Sequence, residues 1–425
     1  MRVSIGVFGA ENEQINFLNS CGIIYNKIED ESEFKNFTHI ITFGKTDGKL
    51  RKKFISSIML EDEQIDIFAW SKTLSKGKYG GLFSFEVINN ITMITCLIPM
   101  DLCKKPLVIR KGFFVGQRKL PAEEIPLLDK GGLQRLFLSA MKEIFHSQNL
   151  PFVIKSFSPD PKKIPLLFRI DTDFCDEKTI DNFCESIKSK PKITCFAHTK
   201  YLEKAPVKPH EIALHCFSHN VKPTNENLQK GIEVLKKFGK TPLGFCAPYG
   251  VRNEEADIFL KQNHGFEYSS DFSFAADALP FFVEKTGLWQ IPVFPICVGS
   301  FNGVCSDEEK ITAVFERYFA RNFKYKIPFI IYDHPNHTKF NLLNKIFAAA
   351  NKYPILPMTF LEYCEFLKKR EVSGDDFPTI TFYPDESEPN QKMCRIMRQK
   401  ISRISFRLIK NTIINRFRRG KDEKD

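Results

Sequence analysis

Ile164-Pro165-Leu166-Leu167-Phe168-Arg169-Ile170-Asp171-Thr172-Asp173-Phe174 opens as an apolar run and closes on two acids. Its core, Leu166–Ile170, reads as a β-strand, and from here on the chain alternates regularly. Helix Glu177–Ser189 follows, then strand Ile193–Ala197. Strand Ile212–Leu214 leads to helix Asn225–Phe238, with Thr224 as its cap and Gly239 as its stop. Strand Leu243–Cys246 leads to helix Glu254–Gln262. Helix Glu308–Asn322 precedes strand Ile327–Tyr332, and helix Lys339–Asn351, strand Ile355–Leu356 and helix Phe360–Lys369 close the run. Repeated βα units imply parallel strands, about seven of which can close into a barrel with its reactive residues at the strand C-termini.

The ends of these strands carry the chemistry. Seven of the nine histidines (His198, His210, His215, His219, His264, His334 and His337) fall in this region. Alternate strand residues share a face, so Arg169, Asp171 and Asp173 point one way if the chain stays extended. Two neighbouring carboxylates disfavour each other's ionisation unless a cation lies between them. The same Asp-x-Asp also suits the metal site of a glycosyltransferase. In His215-Cys216-Phe217-Ser218-His219, an i, i+4 pair at the start of a helical turn can offer two imidazoles to one metal.

Further motifs follow in order, each after a strand: Gly244-Phe245-Cys246-Ala247-Pro248-Tyr249-Gly250, then Tyr268-Ser269-Ser270-Asp271, then Gly287-Leu288-Trp289-Gln290-Ile291-Pro292. The last is Ile330-Ile331-Tyr332-Asp333-His334-Pro335-Asn336-His337. Together they resemble the polysaccharide deacetylase family, the NodB-homology domain of carbohydrate esterase family four, over about residues 160–370. The resemblance implies a metal-dependent, distorted (β/α)7-type barrel that removes acetyl groups from N-acetylated saccharides, releasing acetate. It places the catalytic base at Asp171, the carboxylate metal ligand at Asp173, and the imidazole ligands at His215 and His219. One divalent ion, zinc, is implied. Pro248, Tyr249 and Gly250 line the pocket, with the Tyr249 N–H at the oxyanion; Trp289 forms an apolar wall, and His334 is the general acid.

One position departs from the family pattern. Cys246 stands where the family has an arginine that orients the base, and Cys offers no planar fork to a carboxylate. Arg252 or Arg169 can take that place. The departure keeps a second reading open, a catalytically impaired protein that binds saccharide or a partner. The glycosyltransferase reading leaves the later histidine motifs without a role.

Outside this region, residues 1–110 give strand candidates Arg2–Phe8, His39–Phe43, Ile65–Trp70, Leu82–Ile88 and Ile91–Ile98. Helical spacing occurs at Glu11–Asn19 and Leu50–Met59. This suggests a small open α/β accessory domain of amidotransferase-like or flavodoxin-like type, without catalytic residues. Residues 111–162 form a connector with a helix at Leu133–Ser147, residues 163–372 the catalytic domain, and residues 373–425 a linker and tail.

Composition narrows the function further. With 425 residues, 43% hydrophobic content and 42 Phe, the chain can bury a sizeable core. No apolar run is long enough to span a bilayer, and the first residues suit a strand better than a signal peptide, so a cytoplasmic protein is expected. The 12 cysteines show no CxxC spacing and read as buried apolar residues. Of the net charge of +11, residues 392–425 carry +9. Met393, Met397, Ile401, Ile404 and Leu408 form an apolar helical stripe among basic residues. The tail is read either as an amphipathic helix on an anionic membrane surface, at its inner face, or as a helix docked on its own protein. No nucleic-acid partner is expected, because no aromatic platform or DNA-binding motif accompanies the charge.

Overall fold

A computed structural model describes residues 3–43, 83–88, 90–96, 108–115, 118–126, 130–220, 223–301, 306–338, 340–372 and 377–384. The sequence expectations for Leu50–Met59, Ile65–Trp70 and the 392–425 tail lie outside these residues.

The chain begins with β1 (Ile5–Phe8), α1 (Asn12–Ser20), β2 (Asn26–Ile28), β3 (His39–Phe43), β4 (Phe83–Ile88) and β5 (Ile91–Cys96). They form one sheet in the order β2-β1-β3-β5-β4, parallel except for the β4–β5 hairpin. The β2-β1-β3 start is that of doubly wound sheets, but the antiparallel β4 then closes the edge. Next come the hairpin β6 (Val108–Val115) and β7 (Arg118–Pro126), helix α2 (Lys130–Ser147) and strand β8 (Phe152–Lys155).

Helix α2 does more than join the two halves. Leu133, Leu136, Phe137, Met141, Ile144 and Phe145 are buried in one cluster with Ile5, Val7, Phe17 and Ile41 of the small sheet. Leu279, Tyr325 and Ile327 from the larger half share that cluster. Gln134 is buried at the seam, where it donates to Ser20 Oγ (2.9 Å) and accepts from the Leu279 N–H (2.8 Å).

The larger half is a nine-stranded sheet. Its elements are β9 (Ile164–Asp171), α3 (Glu177–Ser186), β10 (Ile193–His198), β11 (Glu211–Cys216), α4 (Asn225–Lys237), β12 (Gly244–Phe245) and α5 (Glu254–His264). They continue as β13 (Tyr268–Ser269), β14 (Phe281–Val283), β15 (Leu288–Gln290), α6 (Glu308–Lys324), β16 (Phe329–Asp333), α7 (Phe340–Ala350), β17 (Ile355–Met358) and α8 (Phe360–Val372). The strand order is β14-β15-β13-β12-β11-β10-β9-β16, with β17 also on β9, and every pairing except β14–β15 is parallel. The sheet curls into the distorted (β/α)7-type barrel expected from the sequence. The Phe294 N–H donates to Ile330 O (3.0 Å) and bridges the gap that the strand pairing leaves open.

The helix boundaries follow local chemistry. The Thr224 hydroxyl accepts from the Asn227 N–H, and Gly239, past the end of α4, has φ +70°. Asp176, Asn253 and Asp307 cap α3, α5 and α6 in the same way. Strand β18 (Thr379–Phe382), not anticipated from sequence, pairs with β8 and returns the chain to the small half. Among the described residues no helix is long and apolar enough to cross a membrane, and the described cysteines are buried and free.

Replacing Gln134 with Leu leaves the buried Leu279 N–H without an acceptor. Chemical denaturation of this variant should show a loss of about 1–3 kcal/mol, the cost of one unsatisfied buried polar group. An unchanged midpoint would show that the seam does not depend on this bond.

Candidate metal centre and active site

The site lies where β9, β10, β11, β12, β13 and β16 end. Strand β9 stops at Asp171, and the chain turns at once: the Cys175 N–H donates to Thr172 O (3.1 Å) and Phe174 takes φ +58°. Arg169 and Asp171 therefore share a strand face, while Asp173 belongs to the turn, contrary to the extended geometry expected from sequence. The His198 Nδ1 and Asn336 side chain hold this turn. The first accepts from the Phe174 N–H (3.2 Å), and the second donates to Asp173 O (2.6 Å).

His215 sits in β11, but no helical turn follows it, a second departure from expectation. The chain leaves the strand and bends back because the Asn227 side chain pins it. Asn227 accepts from the Phe217 and Ser218 N–H groups (2.9 and 3.2 Å) and donates to Ser218 O (2.8 Å). The bend brings the His219 ring to 5.0 Å from that of His215.

Both imidazole Nε2 atoms lie 3.1 Å from Asp173 Oδ1, and His334 Nε2 lies 3.7 Å from Asp173 Oδ2. The His215 Nδ1–H donates to Cys246 O (2.7 Å), which leaves the Nε2 lone pair facing Asp173. Asp173 Oδ1 and both ring nitrogens of His219 are buried without a hydrogen-bond partner. A carboxylate oxygen and ring nitrogens that converge in a buried place, with no other partner for Asp173 Oδ1 or His219, are what a cation would satisfy. A carboxylate and two imidazoles are a donor set suited to a catalytic divalent ion such as zinc, with positions left for other ligands. The residues fit the metal that the sequence implies.

Asp171 has a different partner. Arg169, fully buried, donates from Nε to Asp171 Oδ1 and from Nη2 to Oδ2, both at 2.6 Å, and from Nη1 to the Ser270 carbonyl and Oγ. Burial pushes the Asp171 carboxyl up, but the Arg169 charge and fork outweigh it and hold the group below the usual carboxylate range. Of the two arginines considered for orienting the base, Arg169 reaches it. Arg252 instead donates to Asp257 (2.8 Å) and stacks over Phe274. Cys246 is adjacent, with its Sγ 3.6 Å from Asp171 Oδ1.

Pro248–Gly250 form a single 3-10 turn, with Tyr249 at φ +58° and half exposed beside His219. Gly250 is required here: a Cβ would lie 2.3 Å from the Phe272 ring. The Tyr249 ring meets His219 at 4.6 Å, and the exposed Phe174 ring lies 5.6 Å from the other side of His219. Trp289 is not brought to this cluster; it lies in β15 beside Tyr268, its ring against Phe282 (5.7 Å).

Asn227 carries no sequence signal, and Asn336 lies within a motif that the sequence singled out without giving Asn336 a role; each holds a segment other than its own. Ser270 and Asp271 lay within a motif that the sequence singled out without a role. Asp271 accepts from the Ala247 N–H (2.6 Å) and so fixes the pocket loop.

No family model matches the chain, and no curated protein matches it. Solved structures resemble it over about half of its length. A candidate polysaccharide deacetylase from Mycobacterium smegmatis is 17% identical, with 51% of this chain and 94% of that one covered and a TM-score of 0.40. A peptidoglycan deacetylase from Bacillus subtilis is 12% identical, with 50% and 95% covered and a TM-score of 0.31. A carbohydrate esterase family 4 pseudoenzyme from Bacillus anthracis is 12% identical, with 49% and 69% covered and a TM-score of 0.31. At these identities the likeness is one of fold, over about half the chain.

Asp271 and Asp257 lie under the pocket loop. Burial pushes both carboxyls up, and for Asp257 the Asp271 charge adds to it. The folded protein then holds protons that the unfolded chain has released, so this pair makes stability fall as pH rises. Asp271→Asn keeps the acceptor for Ala247 and removes one charge. Its melting temperature should drop less than the wild type's between about pH 5 and pH 8; an equal drop would remove the pair from the pH dependence.

Proposed function

We propose that the chain is a metal-dependent hydrolase that removes an acetyl group from an amino sugar of a saccharide or polysaccharide precursor. The observation that carries this reading is the convergence of Asp173, His215 and His219, with Asp173 Oδ1 and His219 Nε2 unpartnered, beside an arginine-forked Asp171 and a half-open His334.

Asp173, His215 and His219 would hold the divalent ion. When bound, it supplies Lewis-acid polarisation of the acyl oxygen and activation of water at neutral pH. Asp171, ionised because Arg169 forks it, is the base that takes the proton of the attacking water. The Tyr249 backbone N–H would donate to the carbonyl oxygen that becomes an oxyanion. As the C–N bond breaks, His334 delivers a proton from Nε2 to the departing nitrogen. Acetate and a free amino sugar leave.

Exposed rings of Phe174, Tyr201 and Tyr249 lie beside His198 and His219, apolar faces of the kind that pack on the C–H face of a sugar. The substrate in this reading is a precursor linked to a carrier, met at an anionic membrane surface through the basic residues 392–425.

Arginine at position 169 weighs against the alternative of a catalytically impaired relative. The fork that Cys246 cannot make is made from within the same strand, so loss of the family arginine is no reason to expect an idle site.

Asp171→Asn keeps an acceptor for Arg169 and loses the base. Acetate release from a panel of N-acetylated oligosaccharides should fall about 10²–10⁴-fold while bound metal is unchanged. Full turnover by this variant would overturn the role given to Asp171.

A further inference from the structure

Among the described residues, two groups of side chains bring three metal-type donor atoms within reach of one another: Asp173-His215-His219 and Cys297-Asp333-His334. They differ in how those atoms are satisfied. In the second group Asp333 Oδ1 accepts from the Gly299 N–H (2.8 Å), the His334 N–H (2.9 Å) and Cys297 Sγ (3.4 Å). Asp333 Oδ2 accepts from the Thr338 hydroxyl (2.6 Å). Cys297 Sγ lies 3.1 Å from His334 Nδ1. None of these atoms is among the buried ones left without a partner. Hydrogen bonds close this group, and it needs no ion.

The closed network has a direction. Oδ1 of Asp333 receives two main-chain N–H groups, so it is an acceptor whatever the state of the carboxyl. The single Cys297 S–H is therefore directed at Asp333, which leaves a sulfur lone pair toward His334. A lone pair requires a donor, and the proton of the neutral imidazole is assigned to Nδ1. Nε2 then faces the metal ligands, 3.7 Å from Asp173 Oδ2.

We infer that Cys297 is a positioning residue: with Asp333 behind it, its sulfur holds His334 as the Nδ1–H tautomer and aims Nε2 at the reacting nitrogen. The inference rests on the proton-donor role proposed for His334. The proton balance agrees with it. The N–H bond at Nε2 breaks as a new one forms on the departing amine, and the imidazole is left neutral with its remaining proton on Nδ1, where the sulfur already accepts it. The thiol keeps its own proton throughout. Burial, and then the neighbouring Asp333, push the Cys297 thiol well above its ordinary range, in keeping with that. The arrangement resembles in logic a histidine oriented by an acid at its far nitrogen, with a thiol interposed.

The test uses two variants of the full chain. Cys297→Val is of similar volume and accepts no hydrogen bond, whereas Cys297→Ser keeps an acceptor. Long-range ¹H–¹⁵N spectra of histidine-labelled, metal-free protein read the tautomer, and a His334→Gln sample identifies the His334 signals. The wild type and Cys297→Ser should show the Nδ1–H form, and Cys297→Val a shift toward Nε2–H. In acetate release, Cys297→Val should lower kcat about tenfold or more with KM within about twofold and metal content unchanged, and Cys297→Ser should recover most of the loss. An Nε2–H wild type, or a Val variant with an unchanged tautomer, would overturn the inference. So would a changed tautomer with undiminished kcat, or Ser and Val variants equally impaired. If the wild type releases no acetate, the functional reading fails, and the spectra still decide the placement of His334. If Cys297→Val does not fold, the serine variant decides: loss of the Nδ1–H form there, despite a retained acceptor, overturns the inference, and its retention with near wild-type kcat supports it.

Discussion

A fully buried guanidinium holds the reactive end of this barrel together. Arg169 grips both oxygens of Asp171, the carbonyl and hydroxyl of Ser270, and stacks against Phe196 and Tyr332, so one side chain ties the ends of β9, β10, β13 and β16. A charge in that position is tolerable only with a partner: losing one member of a buried pair typically costs about 3–5 kcal/mol. The same bond fixes the chemistry of Asp171, because a carboxylate so forked stays ionised. The joining of these strand ends and the ionisation of Asp171 are here consequences of one contact.

Around that contact, the barrel sorts two acids into separate environments. Asp171 ends a strand and faces a cation supplied by the protein. Asp173, two residues on, sits in a turn and faces two imidazoles whose lone pairs converge on it. The turn makes the difference. Were the strand to continue, both acids would share a face and repel each other. The left-handed Phe174 and the bonds from His198 and Asn336 impose it instead, and Tyr249, whose ring also meets His219, takes the same left-handed conformation.

Much of this was legible in the sequence because the parts that set it are local. The βα alternation gives the barrel, the Thr224 cap and Gly239 stop bound α4 where expected, and each motif lies at a strand end because that is where successive strands expose side chains. Three features were not legible. The bend between His215 and His219 is imposed by Asn227, on a helix that follows, and spacing alone suggested a helical turn. The choice of Arg169 over Arg252 depends on which residue faces inward from a strand and which is drawn to Asp257. Cys297 has no motif, since its role depends on the fold bringing it to Asp333 and His334. The small N-terminal sheet was anticipated in kind, yet its anchoring by α2 and by β18, some 230 residues later in the chain, follows from packing rather than pattern.

The central claim is that Asp173, His215 and His219 form a metal site, and elemental analysis of the purified protein tests it most directly. The account expects about one equivalent of a divalent ion, zinc or a close analogue, in the wild type and after reconstitution, and its loss in His219→Ala with the fold intact. Retention of the ion by His219→Ala, or no bound ion in either protein after reconstitution, would contradict it.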